Sequence, residues 1–148
     1  MTHKEILACM SDLSFFNAMN VEEREELICM SGHVKEFEEK ETIARQGEVD
    51  KAFFVVLKGS LSVTRDKPPE VFLAQLVPGS LFGELTLRGE RVRSSSVTAD
   101  GLVVVLKVNQ SLLDNVSASV STKIKDKIID HLVNRLDQMS LKLSSVIR

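Results

Sequence analysis

The chain has 148 residues, 43% of them hydrophobic and 27% charged, with a formal net charge of −2. That length suits one ordinary domain around a single core. No apolar run approaches the ~20 residues that span a bilayer, and no signal-peptide pattern opens the chain, so a soluble, cytoplasmic protein without membrane contact is expected. The charge is uneven: residues 1–50 carry 5 basic and 12 acidic groups, a net of −7, and residues 51–148 carry 14 basic and 9 acidic groups, a net of +5. The basic groups are dispersed apart from Arg88, Arg91 and Arg93, with Glu90 among them. Such a spot suits a small anion better than a nucleic-acid duplex, which asks for a concentrated basic footprint. Cys9 and Cys29 are too few for a disulfide framework or a zinc site, and two reduced thiols on buried helix faces are expected.

In chain order, Met1–Met10 has a weak apolar stripe (Ile6, Leu7, Met10) that predicts a short helix, followed by the apolar plug Ser14-Phe15-Phe16. Asn20-Val21-Glu22-Glu23 has the spacing of a capping box, so a second helix should start there, bury Leu27, Ile28 and Met30, and stop near Gly32. The period then changes. Ala52–Leu57, Ser60–Thr64, Val71–Leu76, Ser95–Thr98 and Leu102–Val108 are short runs rich in Val, Leu and Phe, separated by turn residues such as Lys58-Gly59, Pro78-Gly79 and Asp100-Gly101. Strands at this spacing predict a sandwich or barrel. Ser111-Leu112-Leu113-Asp114 is a second capping-box candidate, so Ser111 should open a single short turn of helix. A long amphipathic helix follows, in which Leu132, Leu136, Met139, Leu143 and Val146 keep a 4-3 rhythm; pairing with a symmetry mate is expected, since two-fold dimers are the commonest oligomers.

The chemistry-bearing segment is Leu81-Phe82-Gly83-Glu84-Leu85-Thr86-Leu87, continuing through Arg93-Ser94-Ser95-Ser96-Val97. Phe82 ends an apolar strand. Gly83 permits a sharp turn and a close ligand approach. Glu84–Leu87 can form one helical turn whose free N–H groups attract an anion. Glu84 would repel a bare phosphate but suits a ligand that also carries hydroxyl donors, such as a ribose. Arg93 supplies a planar fork for two phosphate oxygens, and Ser94 and Ser95 add hydroxyls. Each signal alone is weak, because an isolated arginine is ordinarily solvated.

Together they resemble the phosphate-binding cassette of the cyclic nucleotide-binding domain family: Phe82-Gly83-Glu84-Leu85, a variable loop, then Arg93-Ser94-Ser95-Ser96-Val97. Gln46-Gly47-Glu48 through Phe53-Phe54-Val55-Val56-Leu57-Lys58-Gly59-Ser60-Leu61-Ser62-Val63 is similar to the family's glycine-punctuated hairpin, as is Leu76-Val77-Pro78-Gly79 to its approach to the cassette. The resemblance covers roughly residues 14–140. It implies an α+β, mainly β fold, an antiparallel β-roll or jelly-roll barrel flanked by N-terminal helices and a long C-terminal helix. One domain would fill 1–148, with N-terminal helices in 1–33, the β-roll in 34–108 with its cassette at 82–97, and C-terminal helices in 111–148.

The resemblance also implies a ligand site made of Phe82, Gly83, Glu84, Leu85, Arg93, Ser94 and Ser95. Glu84 would accept from the ribose 2′-hydroxyl, Gly83 and Leu85 would offer backbone contacts, Arg93 would neutralise the cyclic phosphate and Ser94 would donate to it. Ser95 stands where the family varies with base preference; cAMP is favoured over cGMP. Val92 replaces a proline common before the arginine, and the base contacts stay open among His131, Asn134, Arg135 and Ser140. The expected function is a non-enzymatic sensor without cofactor or metal that repositions its C-terminal helix on binding, with a homodimer through that helix and an unseen effector domain or protein as partners. Other readings stay open: the effector-binding half of a larger transcription regulator, for which Arg148 leaves no room to add a helix-turn-helix, or a degenerate dimerisation domain. A cupin-like enzyme would need clustered metal ligands, whereas His3, His33 and His131 are scattered.

Overall fold

The computed structural model describes residues 1–65, 71–83 and 92–147. They divide into two compact units, Met1–Val116 and Ser117–Arg148. In the first, helix α1 (His3–Ser11) is capped by Thr2, which accepts from the Glu5 amide, and it buries Ile6 and Met10 of the expected stripe. A 3-10 turn at Ser14–Phe16 buries both phenylalanines, whose rings meet edge to face at 4.9 Å. Helix α2 (Val21–Cys29) opens on the capping box: the Asn20 side chain accepts from the Glu23 amide at 2.9 Å, and the Glu23 carboxylate accepts from the Asn20 amide at 3.1 Å. The helix stops three residues before Gly32, which takes φ +80° in the turn that follows.

Two expectations are corrected here. Cys29 is exposed and Cys9 is half-buried, so the thiols are not both on buried faces. The buried side of α2 is made by Leu27 and Ile28, and Cys29 lies one further ~100° step round the helix. The short helix α3 (Gln110–Asn115) is capped by Asn109, whose side chain accepts from the Leu112 amide at 3.0 Å, and not by Ser111. Asn109 can do this because its own backbone is still extended as β8 ends.

Eight strands are described: β1 (Val34–Phe37), β2 (Thr42–Ala44), β3 (Phe53–Lys58), β4 (Leu61–Arg65), β5 (Val71–Leu76), β6 (Leu81–Phe82), β7 (Ser96–Ala99) and β8 (Val103–Val108). They form two four-stranded antiparallel sheets, in the orders β1-β8-β3-β6 and β2-β7-β4-β5. With the flanking helices this is the expected mainly-β roll. Ala44, Phe54, Val56, Leu61, Phe82, Val97, Ala99, Val103 and Val105 come from both sheets and pack together as its core. Successive side chains on a strand face opposite ways. Phe53, Val55, Val104 and Leu106 therefore point to the other face of the first sheet, yet they too are buried. Phe15 reaches that face, its ring 6.5 Å from that of Phe53. Burial on both faces is why β3 and β8 read as unbroken apolar runs and not as alternating ones. Strand β5 lies at the edge of the second sheet and is exposed up to Leu76.

The second unit is helix α4 (Ala118–Ile147), opened by Ser117, whose hydroxyl accepts from the Val120 amide at 3.3 Å. Its first turns carry the buried Val120, Ile124 and Ile128. Further along, Leu136, Met139, Leu143 and Val146 are 61–78% exposed. Among the described residues no helix is long and apolar enough to cross a membrane.

Candidate functional site

Three segments distant in sequence converge on one arginine. The first is the strand pair β3–β6. Phe54 pairs with Phe82 across it, and their rings stack at 4.9 Å with 16° between planes. This register brings the residues before β3 and after β6, Ala52 and Gly83, together at one end of the sheet: a Cβ on Gly83 would lie 3.1 Å from the Ala52 carbonyl oxygen.

The second segment is the turn 45–50, and the third is the stretch that precedes β7. Backbone bonds stitch these two together. The Gly47 amide donates to the Arg93 carbonyl at 2.9 Å, and the Arg93 amide donates to the Glu48 carbonyl at 2.8 Å. Val49 and Val92 form an isolated antiparallel bridge. The Gln46 amide donates to the buried Ser96 hydroxyl at 3.0 Å, and the turn closes on itself where the Arg45 amide donates to the Glu48 carboxylate at 2.7 Å. Arg93 is therefore fixed through its backbone before its side chain makes any contact.

That side chain is buried, with the residue 6% exposed. Arginine keeps its charge at any ordinary pH, and a buried charge is costly unless partners meet it. Nη2 donates to the Ala52 carbonyl at 2.8 Å and to the Asp50 carboxylate at 3.3 Å. The guanidinium carbon lies 5.6 Å from the centre of the Phe54 ring, within cation–π range. Gly83 closes the other side: a Cβ there would stand 2.1 Å from Arg93 Nη1. Gly83 also has φ +82°, a left-handed conformation that glycine adopts without the clash of a Cβ. Both the backbone angle and the space thus require glycine at this position.

Of the seven site residues expected from the sequence, Phe82, Gly83 and Arg93 are brought together. Ser94 is exposed and Ser95 half-buried, immediately after Arg93. Glu84 and Leu85 lie outside the described residues, as do Arg88, Glu90 and Arg91 of the basic spot. The carboxylate that the structure places on Arg93 belongs to Asp50, a residue that sequence reasoning passed over. Nothing local marks it, because an aspartate in a turn is ordinarily solvated and its partner is 43 positions away. Phe54 and the Ala52 carbonyl were missed for the same reason. The arrangement offers a planar cation next to a glycine-lined approach, which can take two oxygens of an anion side by side. Among the described residues no group of three His, Cys, Asp or Glu side chains is placed to hold a metal ion.

A family model for the cyclic nucleotide-binding domain matches residues 34–119. Among solved structures, the chain is similar to the catabolite activator protein of Thermus thermophilus, with 24% identity and a TM-score of 0.70 over 89% of this chain and 62% of that one. It is similar to the N-terminal domain of a transcriptional regulator from Streptomyces coelicolor A3(2), with 25% identity and a TM-score of 0.67 over 87% of this chain and 95% of that one. A third likeness is to the regulatory domain of Toxoplasma gondii PKA, solved with cAMP, at 23% identity and a TM-score of 0.60 over 86% of this chain and 49% of that one. The chain thus spans less than two thirds of the catabolite activator protein and about half of the Toxoplasma structure.

Proposed function

The chain belongs to the cyclic nucleotide-binding domain family, and from that premise we propose that it is a non-enzymatic, cytoplasmic sensor of a cyclic nucleotide, cAMP in preference to cGMP. The observation that carries this reading is the buried guanidinium of Arg93, seated against Gly83 and Phe54 at the end of β3 and β6. A cyclic phosphodiester presents two exocyclic oxygens and one negative charge, which a guanidinium fork matches. The Toxoplasma relative was solved with cAMP, and this supports the choice of ligand. In the proposed complex Arg93 and Ser94 hold the phosphate, Gly83 and Leu85 contact it through the backbone, Glu84 accepts from the ribose hydroxyl, and Phe82 and Ser95 complete the pocket.

The test is calorimetric titration of the parent chain and of Arg93→Ala with cAMP and with cGMP. The parent should bind, cAMP more tightly. Arg93→Ala should lose roughly 1.5–3 kcal/mol or more of binding, the range for hydrogen bonds to charged groups. Equal binding by Arg93→Ala would remove the phosphate assignment. A parent that binds neither nucleotide would leave the degenerate dimerisation domain as the reading.

The output is proposed to run through α4. Binding at the cassette repositions this helix, and the exposed stripe of Leu136, Met139, Leu143 and Val146 pairs with its copy in a homodimer. A second reading makes the chain the effector-binding part of a larger regulator; its match over 95% of the Streptomyces N-terminal domain favours it. The length of the encoding reading frame separates the two.

A further inference from the structure

We propose that Ser94 is a phosphorylation site for an arginine-directed protein kinase, and that the phosphate placed there excludes the ligand, an inference that rests on the cyclic-nucleotide reading above. Three arginines make up the basic spot, and the proposed ligand site uses only Arg93. Arg88 and Arg91 stand six and three positions before Ser94. A kinase cleft lined with carboxylates reads such a pattern, because a carboxylate meets each guanidinium fork.

The structure chooses among the three consecutive serines. Ser96 also has an arginine three positions earlier, but Ser96 is buried and its hydroxyl accepts from the Gln46 amide. That arginine is Arg93, itself buried against Phe54 and the Ala52 carbonyl, so a kinase cannot grip it in the folded chain. Ser95 is half-buried, and Ser94 is exposed, in a bend between the Val49–Val92 bridge and β7. The bridge and the backbone bonds through Gly47 and Glu48 tie this segment to the 45–50 turn, and both valines are more than half exposed. Solvent-edged contacts of this kind open locally at low cost, which lets a kinase take the segment in extended form.

In the transfer, Ser94 Oγ attacks the γ-phosphorus of ATP. The bond from that phosphorus to the bridging oxygen breaks, ADP leaves, and the hydroxyl proton passes to a base of the kinase. The phosphoserine carries about −1.5 to −2 charge near neutral pH. In the proposed complex Ser94 donates to the ligand's phosphate; phosphoserine has lost that donor and sets anion against anion. Two like charges ~4 Å apart weaken binding about fivefold at the dielectric of water and about a thousandfold at that of a protein surface. The coupling is reciprocal, so a bound nucleotide, which covers Ser94 and holds the segment closed, protects it from the kinase.

The test incubates the parent chain with ATP, Mg²⁺ and the catalytic domain of an arginine-directed serine/threonine kinase, with and without saturating cAMP, and locates the label by mass spectrometry. Ser94 should be labelled, the label should fall about fivefold or more with cAMP present, and Arg91→Ala should lose most of it. Calorimetry on the labelled chain should show cAMP binding weakened about tenfold or more. Ser94→Asp and Ser94→Asn separate charge from the lost hydroxyl without a kinase, and the aspartate variant should bind cAMP about fivefold or more weakly than the asparagine one. If the parent binds cAMP but Ser94 stays unlabelled, is labelled equally with cAMP present, or binds as before once labelled, the proposal is overturned while the cyclic-nucleotide reading stands. Equal binding by Ser94→Asp and Ser94→Asn overturns it in the same way. If the parent binds neither cAMP nor cGMP, the underlying reading fails and this inference falls with it.

Discussion

Gly83→Ala tests the geometry of the site without removing a charged group. Its φ of +82° costs an alanine about 1–2 kcal/mol. The added methyl would stand 2.1 Å from Arg93 Nη1, where carbon contacts are normally ~3.5–4 Å, so the guanidinium must retreat by more than an ångström. Retreat breaks the 2.8 Å bond to the Ala52 carbonyl, and hydrogen bonds to charged groups contribute roughly 1.5–3 kcal/mol. The Ala52 oxygen itself, 3.1 Å from the new methyl, belongs to backbone and cannot yield as a side chain would. The expected loss is therefore about 2.5–5 kcal/mol. Urea unfolding followed by far-ultraviolet circular dichroism measures it; with no Trp or Tyr in the chain, intrinsic fluorescence is a poor probe. The decisive comparison repeats Gly83→Ala in an Arg93→Ala background. There the clash with the guanidinium is gone, while the backbone term of about 1–2 kcal/mol and the close Ala52 oxygen remain, so the cost should fall by roughly 1.5–3 kcal/mol, the coupling between the two sites. Equal costs in both backgrounds would refute the claim that Gly83 is there to admit the arginine.

Two further outcomes are expected. Leu136→Lys with Leu143→Lys should convert a homodimer to monomer in sedimentation equilibrium while changing the unfolding midpoint of the monomer little, because both leucines are exposed on α4; a parent that sediments as a monomer at all concentrations would remove the dimer proposal. Asn20→Ala should cost about 1 kcal/mol in urea unfolding and leave nucleotide affinity unchanged, because it removes one arm of the α2 capping box.

Much of the fold was legible because its determinants are local. The capping box at Asn20–Glu23 and the turn-bounded runs that became β3, β4, β5, β7 and β8 need only a few neighbouring residues to be recognised. Strands β1, β2 and β6 were harder. Their four, three and two residues hold little pattern, and they exist because β8, β7 and β3 supply partners for their backbones. The start of α3 was misplaced for a related reason: Ser111 and Asn109 both have capping side chains, and the choice between them is made by where β8 releases the backbone into extended geometry. At the site, Phe82, Gly83 and Arg93 were visible through a familiar motif. Asp50, Ala52 and Phe54 were not, since they join Arg93 only after β3 and the 45–50 turn are in register with chain more than 38 positions away.

The site also shows where local rules have been set aside. A buried arginine, met among the described residues by a carbonyl and a half-hydrated carboxylate, is a weak contributor to stability, and an apolar side chain of similar volume is often as good or better for a fold. Gly83 gives up chain entropy to hold a left-handed turn against that arginine. Departures of this kind are expected at functional sites, where the deficit is recovered on binding. A ligand that binds the folded chain and not the unfolded one adds RT ln(1 + [L]/Kd), about 2.7 kcal/mol at a hundred times Kd. An anion on Arg93 therefore both fills the site and raises the stability of the turn, strand ends and glycine that converge there. By this logic the rise in unfolding temperature on adding cyclic nucleotide should vanish in Arg93→Ala, because that variant removes the charge that the ligand seeks.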